Sequence, residues 1–176
     1  MNATTKTEFK VWKTVKIGTF KNIEELKEAV FPKEFLPLIL GRDPYASIDD
    51  SVFRSIENVR ISPIEMEVDL VSLAIKDLGF DDWRNRDGDT IRKKVLEMGL
   101  EVCPDEIAHQ LWLLKVYKEQ PKDERWTVVT DCKYRSFYHI ANPRISYIHG
   151  NKPYMEKTSA GCPGLGDRVI AVKPRK

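Results

Sequence analysis

The stretch IEMEVDLVSLAI, residues 64–75, constrains the fold more than any other part of the chain. Ile64, Met66, Val68, Leu70, Ser72 and Ala74 alternate with Glu65, Glu67, Asp69, Val71, Leu73 and Ile75. A period of two is the signature of a β-strand, because successive side chains leave opposite faces of the pleat. The first face is apolar. The second begins acidic and ends apolar, as expected of a strand that runs from an exposed sheet margin into a centre covered on both sides.

Other segments follow the same logic. VWKTVKI alternates with β-branched residues, which predicts a strand over 10–17 ended by Gly18. Asn22 is placed to cap a helix over 22–31, with Glu24 and Glu25 in the turn where the helix dipole favours them and Pro32 as the stop. KEFLPLILGRDPY predicts a short helical turn interrupted by Pro37. Ser47 or Asp49 would cap a helix over 49–59. Asp89 or Thr90 would cap another over 90–98, closed by Gly99 in a left-handed conformation. Pro104 suits the first position of a further helical turn, whose positive end Asp105 and Glu106 would complement. QLWLLKVY and RWTVVTD read as strands over 110–117 and 126–131, joined in a hairpin by KEQPKDE. RISYIHGNKPYMEK reads as a second hairpin, with a strand over 144–149 and its turn at Gly150-Asn151. RVIAVK gives a last strand over 168–173.

Together these elements predict one α+β domain over residues 9–176 behind a disordered tail, residues 1–8. Its architecture would be a mainly antiparallel sheet of five or six strands against about three helices. The expected core includes Val15, Ile17, Leu26, Phe53, Val68, Leu70, Val95, Leu111, Leu113, Val128 and Ile170. No apolar run approaches the ~20 residues of a membrane span. The beginning, MNATTKTEFK, lacks the apolar stretch of a signal peptide. Three irregularly spaced cysteines, Cys103, Cys132 and Cys162, form no disulfide framework, which points to a reducing, cytoplasmic setting.

Cys103 with His109 could form a nucleophile and base, but Asp105 and Glu106 would raise the thiol pKa, and a buried structural cysteine is the commoner role. Glu65, Glu67 and Asp69 share one strand face and could supply paired carboxylates, or could simply be a solvated strand end. Cys132, His139, His149 and Cys162 have zinc-ligand chemistry without the tight pair of a structural site, and the two histidines are expected at the surface or a sheet edge. NRDGDT fails the calcium-loop pattern at its sixth and twelfth positions, and GCPGLGD lacks the ending of a phosphate loop. No metal or cofactor is expected.

Charge is unevenly placed. Residues 121–176 hold 11 Lys/Arg against 5 Asp/Glu, while residues 1–120 hold 18 against 22. With the aromatics of the same region, this allows a nucleic-acid surface built from Trp126, Lys133, Arg135, Tyr138, Arg144, Tyr147, Lys152, Tyr154 and Lys157. No recognition consensus accompanies it, and exposed strand faces carry Lys and Arg without any nucleic-acid role.

Four stretches, VWKTVKIGT, EMEVDLVSLAIKDLGF, TIRKKVLEMGLEVCPDEI and QLWLLKVYKEQP, resemble a recurring group of small, uncharacterised bacterial proteins. That group shares a Leu-Gly-Leu-x-Leu-Cys-Pro-x-Glu pattern followed by a Gln-Pro hairpin. The likeness covers roughly residues 11–21 and 64–130 and, more loosely, the last hairpin and the final strand. It departs at Ala108-His109, where the group has Gly-Pro, and at residues 122–125, where the group has Gly-Glu. The group carries no assigned activity, so the resemblance implies a single fold and transfers no functional residue.

The leading expectation is a non-catalytic interaction module with a protein partner and no membrane. A nucleic-acid binder using the basic C-terminal sheet is the second. An enzyme using Cys103 and His109, or the carboxylates of Glu65, Glu67 and Asp69, is the third.

Overall fold

The alternation expected over 64–75 does form a strand, from Met66 to Ala74, with Ile75 already in a 3₁₀ turn. The computed structural model describes residues 8–31, 47–48, 56–80, 87–121, 124–130, 137–141, 154–158 and 167–175. Its strands are β1 (Lys13–Ile17), β2 (Ser47–Ile48), β3 (Met66–Ala74), β4 (Arg125–Val129), β5 (Phe137–Ala141), β6 (Tyr154–Thr158) and β7 (Arg168–Val172). Its helices are α1 (Ile23–Val30), α2 (Gly88–Glu97) and α3 (Glu106–Leu113). The protein is thus α+β.

The strands form one sheet in the order β1-β3-β7-β4-β5-β6-β2. β7 runs antiparallel to β3 but parallel to β4, and β2 runs parallel to β6. Among the described residues the sheet is therefore mixed, which corrects the expectation of a mainly antiparallel one. The parallel contact follows from β7 inserting between β3 and β4.

β3 explains why helices cover both faces. Val68 and Leu70 are buried on one side, against Val15, Ile17, Ile170 and Val172. On the other side Glu65 and Glu67 are exposed, Asp69 is half-buried and Val71 is sealed. The acidic-to-apolar gradient is thus a strand passing from the sheet margin to its centre. The first face is covered by α1 and α3, with Leu26, Ile107 and Leu111 packed on Val128, Tyr138 and Ile140. The second is covered by α2, whose Ile91 and Val95 meet Val129, Val169 and Ala171. Each fully buried Leu, Ile or Val contributes about 1.5–3 kcal/mol over exposure.

Local signals set the helix ends. Asn22 caps α1, its side chain accepting from Glu25 N–H at 3.0 Å. Asp87, rather than Asp89 or Thr90, caps α2: its Oδ1 accepts from both Asp89 and Thr90 N–H at 3.0 Å. Hydrogen bonds from Thr90 hold the Asp87 carboxyl below the usual carboxylate range. Gly99 takes φ +76° after α2, as expected.

The larger correction lies at 110–117. These residues are the second half of α3 and a 3₁₀ turn at Val116–Lys118, with no strand and no hairpin to β4. β4 pairs instead with β5, Trp126 opposite Ile140 and Val128 opposite Tyr138. Leu111 is buried as expected, but from a helix, and Leu113 is only partly buried. The antiparallel partner of β6 is likewise β5. The expected strand at 144–149, Phe53 and most of the expected helix at 49–59 lie outside the described residues, apart from a 3₁₀ turn at Ile56–Asn58. Among the described residues no helix is long and apolar enough to cross a membrane.

Candidate functional site

The Cys-Pro-Asp-Glu corner joins α2 to α3 across the ends of β7 and β4. After Gly99 the chain pairs Glu101 with Val172 and Cys103 with Thr130. Cys103 N–H donates to the Val129 carbonyl at 2.7 Å, and Ile107 N–H donates back to the Pro104 carbonyl at 3.0 Å to open α3. Cys103 is fully buried, its sulfur 3.5 Å from the Ile170 carbonyl oxygen. Burial pushes the thiol far above the ordinary thiol range, so it stays protonated.

The sulfur's hydrogen bond goes to the Ile170 carbonyl and not to His109. His109 lies inside α3, fully buried, with Nδ1 3.2 Å from the Asp105 carbonyl oxygen. A carbonyl only accepts, so Nδ1 carries the proton. The imidazole also meets the Tyr138 ring edge-on, centroids 5.0 Å apart.

The acidic trio is divided among cations. Lys16 Nζ holds Glu65 at 3.1 Å, and Arg175 holds Glu67 at 3.5 Å and Asp69 at 3.1 Å. Thr14 Oγ1 adds a bond to Asp69 at 2.7 Å. Arg175 and then Thr14 keep the Asp69 carboxyl below its ordinary range, and Glu65 raises the Lys16 ammonium. These are cross-strand and terminal ion pairs on an exposed face, the arrangement of a solvated sheet margin.

The aromatic surface is also revised. Trp126 is buried, edge-on to Trp12 at 4.7 Å with its indole N–H on Glu124, and Tyr138 is fully buried. Both rings point into the core, where no base can stack on them. Lys133, Arg135, Arg144, Tyr147 and Lys152 lie outside the described residues, as do the side chains of Tyr154 and Lys157, whose backbones belong to β6. Of the zinc candidates, Cys132, His149 and Cys162 lie outside too. His139, expected at the surface or a sheet edge, is buried on β5 between β4 and β6, with Nδ1 3.0 Å from Thr127 Oγ1. Among the described residues no group of three or more His, Cys, Asp or Glu side chains is placed to hold a metal ion.

Sequence reasoning missed Glu106. It was read as a helix-dipole residue, yet its carboxylate is fully buried. Gly18 N–H donates to Oε1 and Oε2 at 3.0 and 3.1 Å, Ser62 N–H to Oε2 at 3.2 Å, and Gln110 Nε2 to Oε1 at 3.0 Å. Gln110 Nε2 also reaches Thr19 Oγ1 at 2.9 Å. Glu106 therefore ties α3 to the end of β1 and to the segment that leads into β3. Gly18 is required there: its φ is +70°, and a Cβ would strike the Ile64 carbonyl.

The segments that Glu106 holds form the wall of a cleft of about 340 Å³, lined by Ile17, Arg60, Ile61, Ser62, Pro63, Met66, Cys103, Pro104 and Asp105. Beside it Ile64 is 65% exposed and Met66 44%. The signal was present in the apolar face of 64–75, which continues two alternations past the point where covering elements end.

No family model matches this chain, and no curated protein or solved structure matches it either.

Proposed function

We propose that this protein is a cytoplasmic, non-catalytic interaction module whose binding surface is the apolar cleft at the open ends of β1 and β3. The observation that carries this reading is the exposure of Ile64 and Met66 beside a cleft walled by Ile17, Ile61, Pro63 and Pro104. Contiguous apolar surface of this kind marks contact sites in folded proteins. Further support comes from the candidate reactive groups: the Cys103 thiol is sealed and protonated, His109 is fully buried within its helix, and the three carboxylates are divided among cations. The buried free thiol of Cys103 suits a reducing compartment.

The test is site-specific photo-crosslinking in cells. Benzoylphenylalanine at position 64 should give a discrete adduct. The same probe at position 96, where Leu96 is 52% exposed on α2, should not. Equal labelling at both positions, or none at 64, would count against this surface.

A further inference from the structure

The cleft wall carries one charged group that the fold does not use. Arg92 donates to the Thr130 carbonyl, Arg125 grips Asp167, Arg168 bonds Ser72 and Arg175 holds Asp69. Arg60 is exposed and, among the described residues, makes no ion pair and no side-chain hydrogen bond. The other polar groups of the wall are either bonded or closed off from solvent. Ser62 gives its N–H to Glu106 and its hydroxyl to the Ile64 carbonyl at 2.7 Å. The Asp105 carbonyl accepts from His109, and Asp105 Oδ1 is closed off from solvent, where it accepts no hydrogen bond among the described residues and a ligand in the cleft does not reach it.

What is left for a ligand is an apolar trough with one free guanidinium. Its complement is an apolar body bearing a negative group, since a guanidinium grips a carboxylate through two parallel N–H bonds. The apolar surface continues outward over Met66 and Ile64, past the cleft itself. A trough that runs on along an open surface suits a length of chain better than an enclosed small molecule.

From this we infer that the cleft receives an acidic, apolar peptide segment of a partner protein. An aliphatic or aromatic side chain sits between Ile17, Ile61 and Met66, and a neighbouring Asp or Glu pairs with Arg60. The inference rests on the interaction-module reading and specifies the partner's chemistry.

The experiment is selection from a phage-displayed random octapeptide library on the intact protein, repeated on Arg60→Glu. Peptides from the unaltered protein should combine Leu, Ile, Phe or Met with Asp or Glu. Those from Arg60→Glu should exchange Asp and Glu for Lys and Arg, a reversal that a folding defect would not produce. By fluorescence polarisation the best acidic peptide should bind Arg60→Glu roughly tenfold more weakly, the loss of one charge-assisted pair, and should bind Leu96→Asp unchanged. No enrichment over bare support, enrichment without a charge preference, or a preference that survives Arg60→Glu would overturn the inference. So would octanoate binding at the cleft without peptide binding, which would assign it to a small acid. If selection fails while position 64 still crosslinks, the peptide chemistry falls and the interaction reading stands. If both fail, both fall.

Discussion

Glu106 takes the backbone N–H of Gly18, 88 residues earlier in the chain, on both oxygens of a carboxylate that no water reaches. Among the described residues no cation bonds this group. Its oxygens accept from backbone and amide donors of Gly18, Ser62 and Gln110. Glu106→Ala would leave the Gly18 and Ser62 donors without an acceptor in a dry site and would cost about 2–4 kcal/mol. Glu106→Gln keeps the shape but turns an NH₂ toward N–H donors, so it should fall between the two proteins. Urea unfolding followed by tryptophan fluorescence measures both. A midpoint unchanged by Glu106→Ala would show that the bonds are replaced by water at no cost.

Glycine positions give a sharper comparison. Gly18 and Gly99 both have positive φ, but a Cβ at Gly99 meets nothing within 4 Å, whereas at Gly18 it runs into the Ile64 carbonyl. Gly99→Ala should therefore cost only the left-handed penalty of about 1–2 kcal/mol. Gly18→Ala should cost more and should also move the segment that lines the cleft. Thermal unfolding ranks the two, and equal losses would mean that Ile64 can step aside freely.

The thiol of Cys103 should react only when the core opens. Its burial and its contact with the Ile170 carbonyl predict that iodoacetamide labelling, mapped to the Cys103 peptide by mass spectrometry, proceeds at the rate of global unfolding at pH 7. Labelling within minutes under native conditions would return Cys103 to the list of reactive groups.

How far the sequence disclosed this depends on what each residue faces. β3 was legible because Glu67, Asp69 and Val71 report their surroundings directly, from solvent to core. α3 was not, because Glu106 to Trp112 are all buried, between α1 and the sheet. A helix covered on every side loses the one-sided stripe that marks it, and QLWLLKVY then imitates a strand. β5 was missed for a related reason: His139 looks like a surface residue, and only its pairing opposite Thr127 places it inside. The role of Glu106 was hidden by distance along the chain, since its donors Gly18 and Ser62 lie 88 and 44 residues away. The burial of Cys103 was legible because a buried cysteine needs only apolar neighbours, and Leu100 and Val102 supply them nearby.

His139 should make stability depend on pH. Burial, and then the nearby Arg125 charge, lower its pKa to about 3 in the folded protein, against about 6.5 for an exposed imidazole. Between these values the unfolded chain binds the proton and the folded chain does not, so stability rises with pH and is lost as pH falls below about 6.5. The slope is about 1.4 kcal/mol per pH unit where the difference is complete, which amounts to about 2 kcal/mol between pH 6.5 and pH 5. Asp69 and Asp87, whose carboxyls are held low, act in the same direction but at lower pH, as they protonate in the folded state. Subtracting the curve of a His139→Gln variant removes their contribution, because both carboxylates remain. Glutamine can still bond Thr127 and has no proton to take up. Urea midpoints measured at half-unit steps from pH 4.5 to 7.5 should converge as pH falls, the parent losing its advantage over His139→Gln. Parallel curves would mean that the imidazole titrates alike in both states, and therefore that it reaches solvent in the folded protein.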